Sequence, residues 1–317
     1  MAEDGGSGSG YNPPMPGELE FIQWLRSQQT PSSFVPVPAG DDLAVLRWDA
    51  GDLLLVGADQ VLDGVHFDAA VHSPRQIGRK VMNRNLSDCA AMACLPAAAV
   101  ATVALPKRAG VDYARELYLG LRDAADPFDC AIVGGDTGSW DGKLAFSVTI
   151  LGRSAGVTPV RRSGAKPGDG IYVTGPLGGS IRGRHMTFTP RVELARRLAQ
   201  AGGVTAMIDI SDGLSRDLRH ICRESSVGAV LDAAAVPLHD DARALAAEDA
   251  MEPGHQYHRA LVHALSDGED YELLFTGHPP ALPPGVVRVG SITGEPGMWL
   301  DDNGRRPLEA RGWEHEL

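Results

Sequence analysis

The chain has 317 residues, which is too long for one ordinary hydrophobic core and predicts two domains of roughly 150 residues each. Hydrophobic residues make up 43% and charged residues 22% of the sequence, which excludes a fibrous or wholly disordered protein. The 41 acidic and 29 basic residues give a net charge of -12, which argues against nucleic acid or an anionic membrane as a partner. A protein of this charge that handles polyphosphates needs bound cations between the like charges.

The N-terminal segment and the cysteines indicate where the protein works. Segment 1–17 is rich in Gly, Ser and Pro and predicts a disordered tail without a secretory signal pattern. No later stretch has the length of apolar residues that a membrane span needs. The cysteines form no CxxC pair and are typical of reduced thiols in a cytoplasmic protein. They are Cys89, Cys94, Cys130 and Cys222.

Strand and helix patterns alternate along the chain, which predicts an α/β or α+β fold. In chain order, we predict strands at 43–46 and 53–58, a helix at 74–94, a strand at 98–105, a helix at 113–124, and strands at 131–133 and 146–151. The turn-rich passage 161–169 predicts the connection to a second domain. Beyond it, we predict strands at 171–174 and 207–210 and a helix at 214–223.

Five short segments place carboxylates beside glycine or on a helix face, next to an apolar run. Carboxylates that share a desolvated cleft repel by about 4 kcal/mol per pair at about 4 Å and an effective dielectric of roughly 20. Mg²⁺ relieves such repulsion. The alternative is that each Asp caps a helix or stabilises a turn, but the recurrence of five such segments favours a shared metal site. The segments are Gly40-Asp41-Asp42, Ala58-Asp59, Asn85-Leu86-Ser87-Asp88, Gly134-Gly135-Asp136-Thr137 and Asp209-Ile210-Ser211-Asp212-Gly213.

Other catalytic arrangements find less support in the sequence. The P-loop pattern GxxxxGK[ST] and the serine-hydrolase pattern GxSxG are both absent. His255, His258 and His263 are close in sequence but have no recognised zinc spacing, and they predict a solvated helix face.

Seven segments, in order between about Gly40 and Thr276, resemble the thiamine-monophosphate kinase family, within the aminoimidazole-ribonucleotide synthetase-like superfamily. They are Gly40-Asp41-Asp42-Leu43-Ala44-Val45-Leu46, Asp59 with Gly64-Val65-His66-Phe67, Asn85-Leu86-Ser87-Asp88, Gly134-Gly135-Asp136-Thr137, Arg162-Ser163-Gly164-Ala165-Lys166-Pro167-Gly168-Asp169, Ile208-Asp209-Ile210-Ser211-Asp212-Gly213-Leu214 and Gly268-Glu269-Asp270-Tyr271-Glu272-Leu273.

The resemblance implies an N-terminal α/β domain at 18–155, which binds ATP and magnesium and dimerises through its sheet, and a C-terminal α+β domain at 156–317. It implies in-line transfer of a phosphoryl group from ATP to thiamine monophosphate in a homodimer, assisted by several Mg²⁺ ions, to give thiamine diphosphate.

The resemblance also assigns roles to individual residues. The implied metal ligands are Asp42, Asp59, Asp88, Asp136, Asp209 and Asp212. The implied ATP contacts are Tyr113, Gly135, Asp136, Arg162 and Ser211, and the implied catalytic residues are Asp136, Arg162 and Asp212. The implied contacts to the thiamine phosphate are His66, Glu269 and Trp313. For His66 the alternative is an ordinary core or surface histidine, and for Glu269 a cap or turn acid.

The chain departs from the family pattern at three places, which leaves the exact acceptor open. Ala58 stands where a hydroxyl residue is usual, Met92-Ala93-Cys94 replaces Met-Gly-Ala, and 178–190 lacks a helical insert. Two superfamily relatives fit less well. Selenophosphate synthetase would need a reactive cysteine or selenocysteine near the N terminus, and the hydrogenase-maturation relative would need a C-terminal cysteine. Aminoimidazole-ribonucleotide synthetase and a non-catalytic nucleotide-binding homologue stay as alternatives.

Overall fold

The computed structural model describes residues 24, 27–34, 52–248 and 256–313. Four predictions lie wholly or partly outside these residues: the disordered tail at 1–17, the strand at 43–46, the metal ligand Asp42, and the solvated helix face in respect of His255.

A four-stranded sheet with two helices on one face forms the first part of the described chain. Its strands run in the order β1-β4-β2-β3, with β2 and β3 parallel and the other pairs antiparallel. The elements are β1 (Leu54–Leu62), α1 (Pro74–Ala91), β2 (Leu95–Pro106), α2 (Gly110–Ala125), β3 (Ala131–Trp140) and β4 (Ala145–Arg153).

Helix α1 begins where the local sequence supplies a complete N-terminal cap. The Ser73 hydroxyl accepts a hydrogen bond from the Gln76 backbone N–H, the Gln76 side chain binds the Ser73 N–H in return, and Pro74 occupies the first turn. Its apolar residues pack with those of α2 and of the sheet into one core, which includes Ile77, Val81, Leu117 and Val148. Helix α1 therefore lies firmly on one face of the first sheet.

A mixed seven-stranded sheet forms the second part, in the order β11-β10-β7-β9-β5-β8-β6. Its elements are β5 (Gly170–Val173), α3 (Val192–Ala201), β6 (Val204–Asp209), α4 (Leu214–Ser225), β7 (Gly228–Asp232), α5 (Asp240–Glu248), α6 (Gln256–Ser266), β8 (Leu273–Gly277), β9 (Val287–Thr293), β10 (Gly297–Asp301) and β11 (Arg305–Pro307). Within 178–190 the structure has two short 3-10 turns, Ser180–Arg182 and Arg184–Met186, in agreement with the predicted lack of a helical insert.

Helix α1 joins the two parts, because it packs on the first sheet and also contacts α3 and β6 of the second. A third apolar cluster lies at this junction and combines Ala90 of α1 with Leu198 of α3 and Phe275 of β8. The side chains of α1 that face β6 therefore lie between the two sheets.

The predicted helices and most predicted strands in the described chain are confirmed, but two strands are longer than expected. Strand β1 continues past 58 to Leu62, and β3 continues past 133 to Trp140. Asp59 and Asp136 therefore lie within strands and not in turns, which corrects the prediction. Glycine makes this possible in β3, because any side chain on Gly135 would overlap the Ala101 carbonyl of the neighbouring strand.

The structure also bears on the predicted state of the cysteines and on the predicted lack of a membrane span. All four cysteines are free and buried, as predicted. Within the described ranges, no helix combines the length and the apolar character that crossing a membrane requires.

Candidate active site between the two sheets

Helix α1 presents a row of polar side chains toward the second sheet. Lys80, Arg84 and Asp88 follow one another at four-residue steps and therefore share one face of the helix. Ser87 lies beside them, and its hydroxyl donates a 2.6 Å hydrogen bond to Asp209 Oδ2 at the end of β6. This bond joins the two parts of the molecule at the centre of the site.

Three of the predicted metal ligands, Asp59, Asp88 and Asp209, come together here from different elements. Burial raises the pKa of Asp88 well above its ordinary value, and the charges of Asp209 and Asp59 raise it further. Burial also raises the pKa of Asp209, as does Asp59, against the lowering effect of the Ser87 hydrogen bond. The charges of nearby carboxylates thus raise the cost of ionising Asp88 and Asp209, as expected for anions in a partly desolvated site.

Arg84 lies among these carboxylates and reaches both sides of the site. Its Nε donates a 2.8 Å hydrogen bond to Asp59 Oδ2. One terminal nitrogen donates to the Tyr271 hydroxyl at 2.9 Å and to Glu269 Oε1 at 3.3 Å. The guanidinium therefore connects a predicted metal ligand on the first sheet with a predicted substrate residue on the second.

Glu269 is held by two buried basic side chains. The Lys80 ammonium donates to Glu269 Oε2 at 2.8 Å and also to the backbone carbonyl of His66, while His185 Nδ1 lies 3.0 Å from Glu269 Oε2. Burial alone would raise the pKa of Glu269, but the His185 hydrogen bond and the Lys80 charge lower it to about 2. Burial lowers the pKa of Lys80 to about 8, although Glu269 opposes this change. Glu269 is therefore an anion inside the protein at neutral pH.

Two turns next to the second sheet, one at Ser211 and Asp212 and the other at Gly268 to Tyr271, contact each other and contain several predicted site residues. The backbone N–H of Glu269 donates to the Ser211 carbonyl at 2.8 Å. Gly268, Glu269 and Tyr271 all have positive φ, of 73°, 52° and 52° respectively. Positive φ is uncommon outside glycine and costs free energy, so this turn keeps a strained backbone that orients Glu269 and Tyr271.

Asp212 and Trp313 lie next to this pair of turns. The Trp313 backbone N–H donates to the Asp212 carbonyl at 3.2 Å, and Trp313 is 49% exposed. Asp212, Asp217 and His220 also present ligand atoms within 4.8 Å of one another. Asp217 accepts hydrogen bonds from the backbone N–H groups of Asp212 and Gly213 at 3.1 Å, so its role is to hold the turn.

Arg162 is exposed and lies close enough to the carboxylates to affect them. Its charge lowers the pKa of Asp88 and of Asp209, against the dominant effect of burial. Arg162 and Arg84 are thus two cations beside the same carboxylates.

The structure places other predicted residues away from this group. Asp59 of β1, Val148 of β4, Ala101 of β2 and Gly135 of β3 form one row across the first sheet, so β1 and β3 are its two edges. Three strand spacings, or about 14 Å, separate those edges. Asp136 follows Gly135 and therefore points to the opposite face from Asp59.

Two other predicted residues have surroundings of their own. Tyr113 lies on α2, where burial raises its pKa and the Asp63 charge raises it further. His66 accepts a hydrogen bond from the Leu62 N–H through Nδ1 at 3.0 Å, and its carbonyl accepts from Lys80. His66 is thus attached to the Lys80–Glu269 pair, whereas Tyr113 lies beside Asp63.

The shortened segment 178–190 is hydrogen-bonded to Asp270, the residue that follows Glu269. Gly178 N–H donates to both Asp270 oxygens at 3.0 Å, and an Arg184 terminal nitrogen donates to Asp270 Oδ1 at 2.9 Å. Burial raises the pKa of Asp270 to about 7, although Arg184 opposes this. These contacts bring His185, with only 3% exposure, against Glu269 and Lys80.

The donor set fits a hard divalent cation. Asp59, Asp88, Asp209 and the adjoining Asp212 offer carboxylate oxygens, which Mg²⁺ prefers. Burial is the main reason that the pKa values of Asp88 and Asp209 are raised, and neighbouring negative charges raise them further. These residues could therefore hold magnesium, and the cation would supply charge neutralisation at the site.

Sequence reasoning missed four site residues: Lys80, Arg84, His185 and Tyr271. The four-residue steps from Lys80 through Arg84 to Asp88 were a usable signal, since such residues share a helix face. Tyr271 lies inside a segment that was singled out, yet its ring stacks on Phe188 at 3.9 Å between centroids, which sequence does not show. No pattern around His185 indicated a site.

Comparison with known families finds matches to both parts of the chain. Residues 40–154 match the family described as AIR synthase related protein, N-terminal domain. Residues 166–256 match the family described as AIR synthase related protein, C-terminal domain.

Individual relatives and solved structures agree with these matches. The chain is similar to thiamine-monophosphate kinase of Rhodopirellula baltica, with 40% identity over 89% of this chain and 91% of the relative. The structure resembles thiamine-monophosphate kinase from Stenotrophomonas maltophilia K279a, with a TM-score of 0.74, 31% identity and coverage of 90% of this chain and 96% of that one. It also resembles a structure described as AaThiL complexed with AMPPCP and TMP, with a TM-score of 0.75, 26% identity and coverage of 94% and 96%.

Proposed function

Since this chain belongs to the thiamine-monophosphate kinase family of AIR synthase related proteins, we propose that it transfers the terminal phosphoryl group of ATP to thiamine monophosphate. The product is thiamine diphosphate. Several Mg²⁺ ions assist the transfer, as the sequence resemblance implies. The relative with AMPPCP and TMP supports this pair of substrates.

One observation carries the proposal: Asp59 of the first sheet, Asp88 of helix α1 and Asp209 of the second sheet lie close enough to affect one another's charge, beside the cations Arg84 and Arg162. Phosphoryl transfer needs positioning and charge stabilisation more than covalent chemistry by the protein. A cleft with anionic ligands and adjacent guanidinium groups supplies both. A general nucleotide-binding surface would not require such a costly concentration of partly buried carboxylates.

The acceptor is itself a phosphate monoester, so it is largely ionised near neutral pH and needs no strong general base. The obstacle is repulsion between two anionic phosphates. Asp59, Asp88, Asp209 and Asp212 would hold magnesium, which supplies positive charge at the phosphates. Arg162 stabilises charge on the transferring group.

Glu269, His66 and Trp313 are proposed to bind the acceptor. Glu269 is an anion at neutral pH, and it can attract the positively charged ring of thiamine monophosphate. The half-exposed Trp313 indole offers an aromatic face beside Asp212. The His66 carbonyl accepts a hydrogen bond from Lys80, the partner of Glu269. Lys80 thus links His66 to Glu269, and the turn at Ser211 and Asp212 links Glu269 to Trp313.

We also propose a homodimer that forms through the face of the first sheet opposite its helices. This face exposes Leu54 and Val56 of β1, at 42% and 62%. Asp136 lies on the same face, with Gly135 next to it in β3. In the proposed dimer, Asp136 therefore acts where the two protomers meet, and its predicted role at the nucleotide depends on that assembly.

The proposal also includes the division into domains, the cellular location and the absence of nucleic acid and membrane partners. We keep the division into 18–155 and 156–317, with the boundary at the end of β4. A cytoplasmic location agrees with four reduced, buried cysteines. The acidic surface disfavours nucleic acid and membrane surfaces as partners.

The direct test mixes the purified protein with Mg-ATP and thiamine monophosphate and measures thiamine diphosphate. Asp209→Asn should lower kcat by at least about a hundredfold, because the site loses one of its central carboxylates. Asp240→Asn, at the exposed start of α5, is the matched control and should keep full activity. Formation of ADP and free phosphate without thiamine diphosphate would show that the acceptor is wrong.

A further inference from the structure

Arg84 is the cation most closely engaged with the proposed metal ligands. Its side chain is only 14% exposed, and its Nε lies 2.8 Å from Asp59 Oδ2. A charge-assisted hydrogen bond of this length is stronger than one between neutral groups. The predicted metal ligand Asp59 is thus already neutralised by a residue of the chain itself.

Two other contacts fix the guanidinium independently of Asp59. One terminal nitrogen donates to the Tyr271 hydroxyl at 2.9 Å and to Glu269 Oε1 at 3.3 Å. Tyr271 is buried and stacks on Phe188, so this anchor is rigid. Opening the Asp59 contact would therefore leave Arg84 held in place on the other side.

The charge of Arg84 also reaches the neighbouring ligands. It lowers the pKa of Asp88 and of Asp209, against burial, which acts in the opposite direction on both. One guanidinium thus interacts with three carboxylates that the proposed function assigns to magnesium. A divalent cation at the same oxygens would compete with it for Asp59 and would also be repelled by its charge.

We propose that Arg84 is a built-in counter-ion of the metal site, which binds Asp59 in the absence of a divalent cation and releases it when one binds. This inference rests on the proposed function, because it takes Asp59, Asp88 and Asp209 as metal ligands. Arg84 is then a positioning residue that weakens metal binding in the empty enzyme. It keeps the carboxylates in place before the nucleotide and its cations arrive.

The effect on metal affinity follows from the bond that must be broken. A hydrogen bond between charged groups corresponds to roughly tenfold to a hundredfold in an equilibrium constant. An uncharged side chain at position 84 would remove this competition. Such a variant should therefore bind a divalent cation more tightly than the wild-type protein in the absence of nucleotide. Substituting a residue that only supports the site would be expected to weaken this binding.

The test titrates the full chain with Mn²⁺ alone and follows free Mn²⁺ by electron paramagnetic resonance. Arg84→Met should bind Mn²⁺ at least about tenfold more tightly than the wild-type protein. Arg84→Gln is a second uncharged variant with the same expected result, and Arg84→Lys should stay near wild type because the charge is kept. Circular dichroism establishes that each variant is folded.

Two controls identify the site and exclude a general charge effect. Arg75→Met removes a cation from the same helix whose partner, Asp123, lies outside the site, so Mn²⁺ affinity should not change. Adding Asp59→Asn to Arg84→Met should abolish the gain. Equal or weaker Mn²⁺ binding in both uncharged variants, or a gain that survives Asp59→Asn, would overturn the inference. Because no ATP or acceptor is present, this result is independent of whether the kinase assay succeeds.

Discussion

At the scale of single residues, Glu269 shows how burial and charge together set a protonation state. Burial disfavours its anion, yet His185 and Lys80 lower its pKa from an ordinary 4.5 to about 2. The folded state therefore gains stability from the Glu269 anion above pH 4.5 and loses it as the pH falls toward 2. Lys80 has the opposite effect on stability. Burial lowers its pKa to about 8, so below pH 8 the buried, protonated Lys80 destabilises the folded state.

Glu269→Gln should lower the free energy of unfolding by about 2–3 kcal/mol near pH 7, because it removes the anion that balances Lys80. The difference from wild type should shrink as the pH falls from 4.5 toward 2, where wild-type Glu269 also becomes neutral. Urea unfolding between pH 3 and 7 measures it. Glu309→Gln, at an exposed ion pair with Arg311, should change little. A difference that stays constant over this pH range would contradict the assignment.

The site was only partly predictable from residues. Asp59, Asp88 and Asp209 could be singled out because each carboxylate adjoins an apolar run, and the structure brings them together. Lys80 and Arg84 were overlooked because basic residues on a helix are usually solvent-exposed, and only their contacts with the Glu269 turn show that they are covered. His185 was unpredictable, since its place depends on the bonds that fasten 178–190 to Asp270.

At the scale of elements, the contact between α1 and α2 depends on two glycines. A side chain on Gly78 would overlap the Leu117 carbonyl, and one on Gly120 would overlap the Arg75 carbonyl. The helices therefore approach until backbone touches backbone. Since α1 carries Lys80, Arg84, Ser87 and Asp88, this close approach also sets where the site residues lie.

Gly120→Ala should destabilise the protein by about 2–3 kcal/mol or more, although alanine favours helix, because α2 would have to move away from α1. Thermal unfolding, followed by circular dichroism at 222 nm, measures the loss. Glu116→Ala, on the more exposed side of α2, is the matched control and should change stability by less than about 0.5 kcal/mol. An unchanged melting temperature for Gly120→Ala would show that the two helices are not in such close contact.

Helix positions were predictable because caps and apolar spacing are local properties, as at Ser73 and Pro74. Strand ends were harder to predict. Asp59 and Gly134-Gly135-Asp136-Thr137 look like turns, yet both are extended because pairing with β4 and β2 supplies their backbone hydrogen bonds. Tertiary pairing therefore overrode the local turn preference.

At the scale of the whole molecule, the two sheets meet through α1, but none of the described helices lies on the other face of the first sheet. That face exposes Val56 at 62%, and Asp136 lies on it at the far edge. Two observations therefore have one explanation if a second copy of the chain covers this face. One is the exposed apolar residue Val56, and the other is the distance of Asp136, a predicted nucleotide contact, from the other carboxylates.

Val56→Lys should therefore weaken self-association by at least about tenfold, because it would bury an unpaired charge in the proposed interface. Sedimentation equilibrium measures the monomer–dimer dissociation constant. At the same protein concentrations the variant should also lose kinase activity, because Asp136 would no longer lie where two protomers meet. Val262→Lys changes a residue of similar exposure, 47%, on α6 and should leave both measurements unchanged. A wild-type monomer, or a Val56→Lys dimer as tight as wild type, would show that this face is not the interface and that Asp136 has another role.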